Sequence, residues 1–151
     1  MRKPTIHATC VVVGGHGVLL RGPSRAGKSR LALHFIESAP AAGRFARLVG
    51  DDRVYVEPER GHLVAHVPDT IAGLIERRGA GIEAIAYQPS APVALVVDIL
   101  ADAEFSALAS DAADRIAIEG IEVAHLYVPR DFDRAVARIE AILPLLGPAA
   151  C

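Results

Sequence analysis

"HATCVVVGGHGVLLRGPSRAGKS" runs from His7 to Ser29, and its reading decides the fold. His7 to Val13 is rich in Val and Thr, the composition of a strand. Gly14-Gly15-His16-Gly17 signals a turn, and Val18 to Arg21 is apolar again. Two short strands about such a turn predict a β-hairpin. The next eight residues, Gly22-Pro23-Ser24-Arg25-Ala26-Gly27-Lys28-Ser29, fit the spacing of a phosphate-cradling loop. Glycines there let backbone N–H groups turn inward around a phosphate, and the helix that follows presents its positive end. Lys28 can reach the β- and γ-phosphates of a nucleotide, and the Ser29 hydroxyl can ligate Mg²⁺. The ordinary nucleotide-binding α/β fold enters its loop from a parallel strand with no hairpin before it. The stretch therefore predicts an α/β domain built on a mixed sheet.

Working outward, Leu31, Leu33, Phe35 and Ile36 make a helix of Lys28 to Glu37, ended by the Pro- and Gly-containing segment 39–43. Further strands are expected over 45–49, 54–56, 63–67, 93–100 and 121–128, the fourth being the plainest. A helical turn or two is expected over 69–76, helical character over 102–112, and an amphipathic helix over 132–146 before Gly147-Pro148. No repeat, linker or low-complexity segment interrupts the chain apart from an excess of Ala. At 151 residues, one domain spanning 1–151 is the natural reading.

Composition narrows the function classes. With 52% hydrophobic residues and a net charge of -2, the chain is not a disordered one, and no basic face suggests nucleic acid. Cys10 and Cys151 imply reduced thiols of a cytoplasmic protein rather than a disulfide framework, and no CxxC pair supports structural zinc. Arg2 and Lys3 precede an apolar segment broken by His7, Gly14, Gly15 and His16, so neither a signal peptide nor a membrane span fits. The chain has fourteen arginines but only two lysines, Lys3 and Lys28. Where any positive charge suffices this protein uses Arg, so Lys28 reads as chosen for its compact ammonium.

A phosphate loop alone does not choose a reaction. Carboxylates must hold the metal and, for transfer to a hydroxyl, one must accept its proton. Asp98 closes the apolar run Val93 to Val97, as the metal-holding Asp of ordinary ATPases does, while Asp51 and Asp52 follow Gly50 at the end of a shorter strand. Asp98 could equally be a strand-end or helix-cap residue, and Asp51-Asp52 a turn. On a regular strand only one of two adjacent side chains faces a given site. Spacing leaves both sites open. His62 and His66 lie four apart on a strand, which puts no metal pair in view, and Arg77 carries no role beyond a solvated charge.

Four segments in order carry a family resemblance: Ile6-His7-Ala8, "GPSRAGKS" at Gly22 to Ser29, "LVGDDRV" at Leu48 to Val54, and "IERRGAGI" at Ile75 to Ile82. Together they resemble the catalytic domain of bacterial HPr kinase/phosphorylase, which phosphorylates a seryl residue of the phosphocarrier HPr. The last is the most specific, being similar to that family's "EIRGLGI" signature through Glu76, Arg78, Gly79 and Gly81. The resemblance implies ATP and Mg²⁺ as cofactors and an HPr-like carrier of the sugar/nitrogen phosphotransferase system as partner. It further implies a homo-oligomer, a hexamer in many members, and a fold related to phosphoenolpyruvate carboxykinase.

It also implies residue roles. Asp51 becomes the general base on the seryl hydroxyl with His7 beside it, and the general acid when inorganic phosphate attacks phosphoserine. Ser29 and Glu76 become metal-site residues with Asp52 in support. Arg115 in "ADRI" resembles an Arg of a C-terminal "DRL" element that assists transfer. With six residues before His7, the likeness is to a short form without the separate N-terminal domain of longer members. The segment Ala84 to Ser90 departs from the Gly-Ala-rich loop of those members, and Lys28 to Asp51 is a few residues longer than typical. Two rivals stand beside this reading: another phosphate-loop kinase or NTPase using Asp98 for metal, and a nucleotide-sensing module without turnover.

Overall fold

A computed structural model describes residues 4–147. Expectations placed on Lys3 and Cys151 fall outside that range. In chain order the strands and helices are β1 (Ala8–Val13), β2 (His16–Arg21), α1 (Lys28–Ser38), β3 (Ala46–Gly50), β4 (Tyr55–Glu59), β5 (His62–His66), β6 (Leu74–Arg77), β7 (Gly81–Ala84), β8 (Ser90–Leu100), α2 (Asp102–Leu108), β9 (Asp114–Ile118), β10 (Ile121–Pro129) and α3 (Phe132–Ile142).

The main sheet runs β3-β1-β2-β8-β10-β9, with β5 also paired to β8 and β4 to β5. β1 and β2 form the expected antiparallel hairpin, Val13 facing His16. β2 and β10 flank β8 in parallel, whereas β3, β5 and β9 pair antiparallel with their neighbours. The sheet is mixed, as the hairpin before the phosphate loop predicts.

Alternation along the strands builds two cores. Val11, Val13, Val18, Leu20, Leu95 and Val97 face α1 and α3, where Phe35 and Ile139 are fully buried against them. Cys10, Val12, Leu19 and Val96 face the β4–β5 hairpin, against Val56, Leu63 and Ala65. Strands buried on both faces read as unbroken apolar runs, which is why 93–100 stands out in the sequence. The phosphate loop lies between β2 and α1, and β3 ends beside it.

Several elements depart from expectation. Segment 69–76 is not a helix: a single 3-10 turn covers Asp69–Ile71, and Leu74 to Arg77 form β6. The reason is the partner strand, since β7 pairs with β6 from Leu74↔Ala84 to Arg77↔Gly81. The joining turn is closed by Ala80 N–H on the Arg77 carbonyl at 2.9 Å, and Gly79 takes the φ of 83° it requires. β9 is unexpected and closes the sheet edge beside β10. Helix α2 stops at Leu108, short of 112. α3 gives way at Leu143 to a 3-10 turn containing Pro144, which cannot donate an interior helix hydrogen bond. Among the described residues no helix is long and apolar enough to cross a membrane.

Candidate phosphate-transfer site

The phosphate loop begins where β2 ends at Arg21 and closes into the first turn of α1. Arg25 and Gly27 take left-handed backbone angles, φ 68° and 106°, which curl the loop back toward β2. Lys28 opens α1 with a buried side chain, 5% exposed, and its ammonium donates to the carbonyls of Gly22 (2.7 Å) and Pro23 (3.1 Å). Its Nζ also lies 3.9 Å from Asp52 Oδ1 and 3.5 Å from His7 Nε2. Burial holds the Lys28 pKa below the usual lysine value, an effect that Asp52 and Asp51 partly offset.

The end of β3 delivers the aspartate pair to this loop. Asp51 Oδ1 accepts from the Ser29 hydroxyl at 2.6 Å and from Thr9 Oγ1 at 2.9 Å, and its Oδ2 accepts from the Glu76 backbone N–H at 3.0 Å. Asp52 turns away from Asp51 because its backbone is left-handed, φ 68°, and Thr9 Oγ1 accepts its N–H at 3.0 Å. Its carboxylate meets His7 Nε2 at 2.5 Å on the open side of the site. His7 thus contacts Asp52, whereas the resemblance places it by Asp51. Thr9 is the residue that sequence reasoning missed. Its one signal was a hydroxyl in a strand that is otherwise apolar, and that hydroxyl is fully buried.

Glu76 joins the site through its main chain. On β6 it shares the outward ribbon face with Leu74 and Ile82, and its backbone N–H reaches Asp51. Arg78 and Gly79 lie in the exposed β6–β7 turn, and Gly81 opens β7 beyond it. Arg77 is no mere solvated charge. Its Nη2 donates to Glu37 on α1 at 2.7 Å and to Glu83 on β7 at 2.8 Å, while Nε points at both Glu83 oxygens from 3.3 Å.

Asp98 lies elsewhere and is fully engaged. Arg21 grips it with Nε at 2.8 Å and Nη2 at 2.7 Å, and His125 Nε2 meets the same carboxylate at 2.7 Å. The other ring nitrogen of His125 faces Asp114 at 2.6 Å, so Arg21, Asp98, His125 and Asp114 form a row across β2, β8, β10 and β9. Burial pushes the Asp98 carboxyl up, but the hydrogen bonds from Arg21 and His125 outweigh it and hold the pKa below the usual aspartate value. Arg21 already neutralises this carboxylate through two hydrogen bonds, which weighs against the Asp98 rival as a metal ligand.

Arg115 does not join the cluster around Lys28. It sits on β9 opposite Ala124, in register with Leu95 and Val18, three residues back along β2 from Arg21. Its Nη2 donates to the Glu122 carbonyl at 3.2 Å, and it lines a depression with Gly15 and His62 at the hairpin-turn end of the sheet. The motif likeness carried no register, and the register sets Arg115 toward the hairpin-turn end of the sheet. His66, expected to be structural or solvent-facing, pairs with Glu59 at 2.5 Å beside Glu57.

A hairpin-entered loop in a mixed sheet, with an aspartate pair near its lysine, defines the class: a mixed-sheet α/β domain that gathers Lys28, Ser29, Asp51 and Asp52 at one loop. A family model for the HPr Serine kinase C-terminal domain matches residues 1–143, and the chain belongs to that family. The HPr kinase/phosphorylase of Mycoplasma mycoides subsp. mycoides SC is 31% identical over 147 residues, covering 88% of this chain and 44% of that protein. Its counterpart in Limosilactobacillus reuteri is 33% identical over 149 residues, covering 91% and 44%. The chain thus spans under half the length of these relatives. The solved structure of the HPr(Ser) kinase/phosphatase from Coxiella burnetii superposes with a TM-score of 0.70 at 23% identity, covering 93% of this chain and 97% of that one. That likeness is one of fold.

Proposed function

We propose that this domain transfers a phosphoryl group from ATP to a seryl hydroxyl on HPr or an HPr-like phosphocarrier, and that inorganic phosphate reverses the transfer. The observation that carries the reading is the meeting of Lys28, Ser29 and the Asp51–Asp52 pair at one loop. Family membership supports it, as do the kinase/phosphorylase relatives. In this reading residues 22–29 cradle the phosphates and the Lys28 ammonium offsets the charge of the transferring group. The donor set suits Mg²⁺, a hard cation that takes oxygen ligands. The Ser29 hydroxyl and Asp51 carboxylate already converge at 2.6 Å, with Asp52 adjacent and Glu76 on the neighbouring strand. Held there, the metal would neutralise phosphate charge.

The base assignment has two readings. The resemblance gives the proton of the seryl hydroxyl to Asp51. The His7–Asp52 contact favours Asp52, whose carboxylate is 57% exposed and free of the Ser29 and Thr9 bonds that engage Asp51. Asp51→Asn and Asp52→Asn, assayed with γ-labelled ATP and purified HPr, separate them. Loss of the base slows transfer by about 10² to 10⁴ while nucleotide affinity survives. Parent-rate transfer by Asp51→Asn, with the loss falling on Asp52→Asn, moves the base to Asp52. Nucleotide binding with no carrier labelled by the parent protein rejects the kinase reading in favour of a sensing module. Added phosphate, releasing label from phosphoserine, tests reversal. The same reading makes the protein a cytoplasmic homo-oligomer, with the fold kinship to phosphoenolpyruvate carboxykinase that the hairpin-entered loop suggests.

A further inference from the structure

The β6–β7 ribbon, which supplies the third hydrogen bond on Asp51, has no backbone ladder to the main sheet. A two-stranded ribbon by itself is marginal in water, so side chains must fix where it sits. Alternation puts Ile75, Arg77, Gly81 and Glu83 on its inner face, toward α1. Ile75 is an apolar anchor, 1% exposed in the helix-side core. One buried residue sets the depth of the ribbon but leaves it able to pivot. Two residues on, Arg77 divides its guanidinium between Glu37, in the last turn of α1, and Glu83, on the partner strand. A planar guanidinium spans two carboxylates in fixed directions, which a lysine ammonium does not. The neighbouring residue, Glu76, is the one whose N–H must meet Asp51 Oδ2.

We infer that Arg77 is a positioning residue: its fork between Glu37 and Glu83 locks the ribbon to the phosphate-loop helix and so holds the Glu76 N–H on Asp51. Exposed ion pairs add little to global stability, so its effect lies in geometry more than in folding. The contact joins the helix that carries Lys28 and Ser29 to the strand that orients Asp51. Loosening it moves the acid relative to the phosphates.

The activity arm of the test rests on the kinase reading above, and the exchange arm does not. In the full chain, Arg77→Ala should speed amide hydrogen exchange across 74–84 while exchange in β8 stays at the parent rate. It should lower kcat for carrier phosphorylation about tenfold with KM for ATP unchanged, the size expected when a catalytic group is displaced by a fraction of an ångström. Glu37→Gln should reproduce both effects in weaker form without touching the Arg77–Glu83 contact. Arg77→Lys should recover only part of each. High salt should bring the parent protein toward the Arg77→Ala behaviour. Parent-like exchange across 74–84 in Arg77→Ala and Glu37→Gln overturns the inference whatever the reaction is. Fast exchange with undiminished kcat also overturns it. If no carrier is phosphorylated even by the parent, exchange alone decides the role of Arg77 and only the kinase reading fails.

Discussion

Thr9 Oγ1 gives its proton to Asp51 and accepts one from the backbone of Asp52, so a single hydroxyl sets both halves of the acidic pair. Next to it, Cys10 turns to the opposite face of β1 and is completely buried, which pushes its thiol up to about 12. Only the thiolate attacks a disulfide reagent. In a Cys151→Ser background, native protein at pH 8 should therefore stay unlabelled by a thiol reagent, and urea should release one reactive thiol per chain. Rapid native labelling would contradict the burial. At this scale Lys28 was legible because loop spacing is local. Thr9 was not, because its role depends on partners 42 and 43 residues away. His7 and Asp52 show the same limit: resemblance named both, but the left-handed turn at Asp52 decided which aspartate His7 meets.

At the scale of elements, the hairpin before the loop was readable because its turn residues and apolar runs are contiguous. Segment 69–76 was misread because Ile71, Leu74 and Ile75 fall at helical spacing. Gly73, left-handed at φ 73°, breaks that helix, and the strand is completed only by β7 across the turn. Glycines in the β1–β2 hairpin separate close approach from backbone freedom. A Cβ at Gly17 would lie 2.2 Å from the Pro92 carbonyl oxygen, where β2 meets β8, whereas one at Gly14 meets nothing within 4 Å but inherits φ 59°. Gly14→Ala should cost about 1 kcal/mol, the strain of a left-handed alanine. Gly17→Ala should cost about 3 kcal/mol, because backbone must move. Urea midpoints compare them, and an equal cost would mean that the β2–β8 contact yields without resistance.

For the whole molecule, the mixed sheet with a hairpin before the loop was readable, whereas its packing on two faces and the edge strand β9 were not. The strand Asp114 to Ile118 is short, with only Ile116 and Ile118 turned at alternate positions toward the core, and pairing with β10 defines it. The Arg21–Asp98–His125–Asp114 row predicts a pH dependence. Asp98 has its pKa held down in the fold, so the unfolded chain binds its proton first as pH falls. Its contribution is present above about pH 4 and is lost as pH drops through the depressed folded value. Asp98→Asn should be less stable than the parent at pH 7 by on the order of 2 kcal/mol. The gap should narrow as urea midpoints are measured from pH 4 toward pH 2.5. A gap that stays constant would show that Asp98 does not contribute as an anion.

That row of charges has a second consequence, for alignment. The central strands are so uniformly Val, Leu and Ile that apolar contact alone would accept several offsets between them. A slip of one residue between β8 and β10 would turn His125 to the other face and leave Asp98 without its imidazole. Stripping a buried imidazole of a hydrogen-bond partner costs about 1–3 kcal/mol, more than a swap of one aliphatic neighbour for another. The four polar side chains thus act as a key that only one stagger fits, and the interchangeable greasy residues around them need not encode the alignment at all.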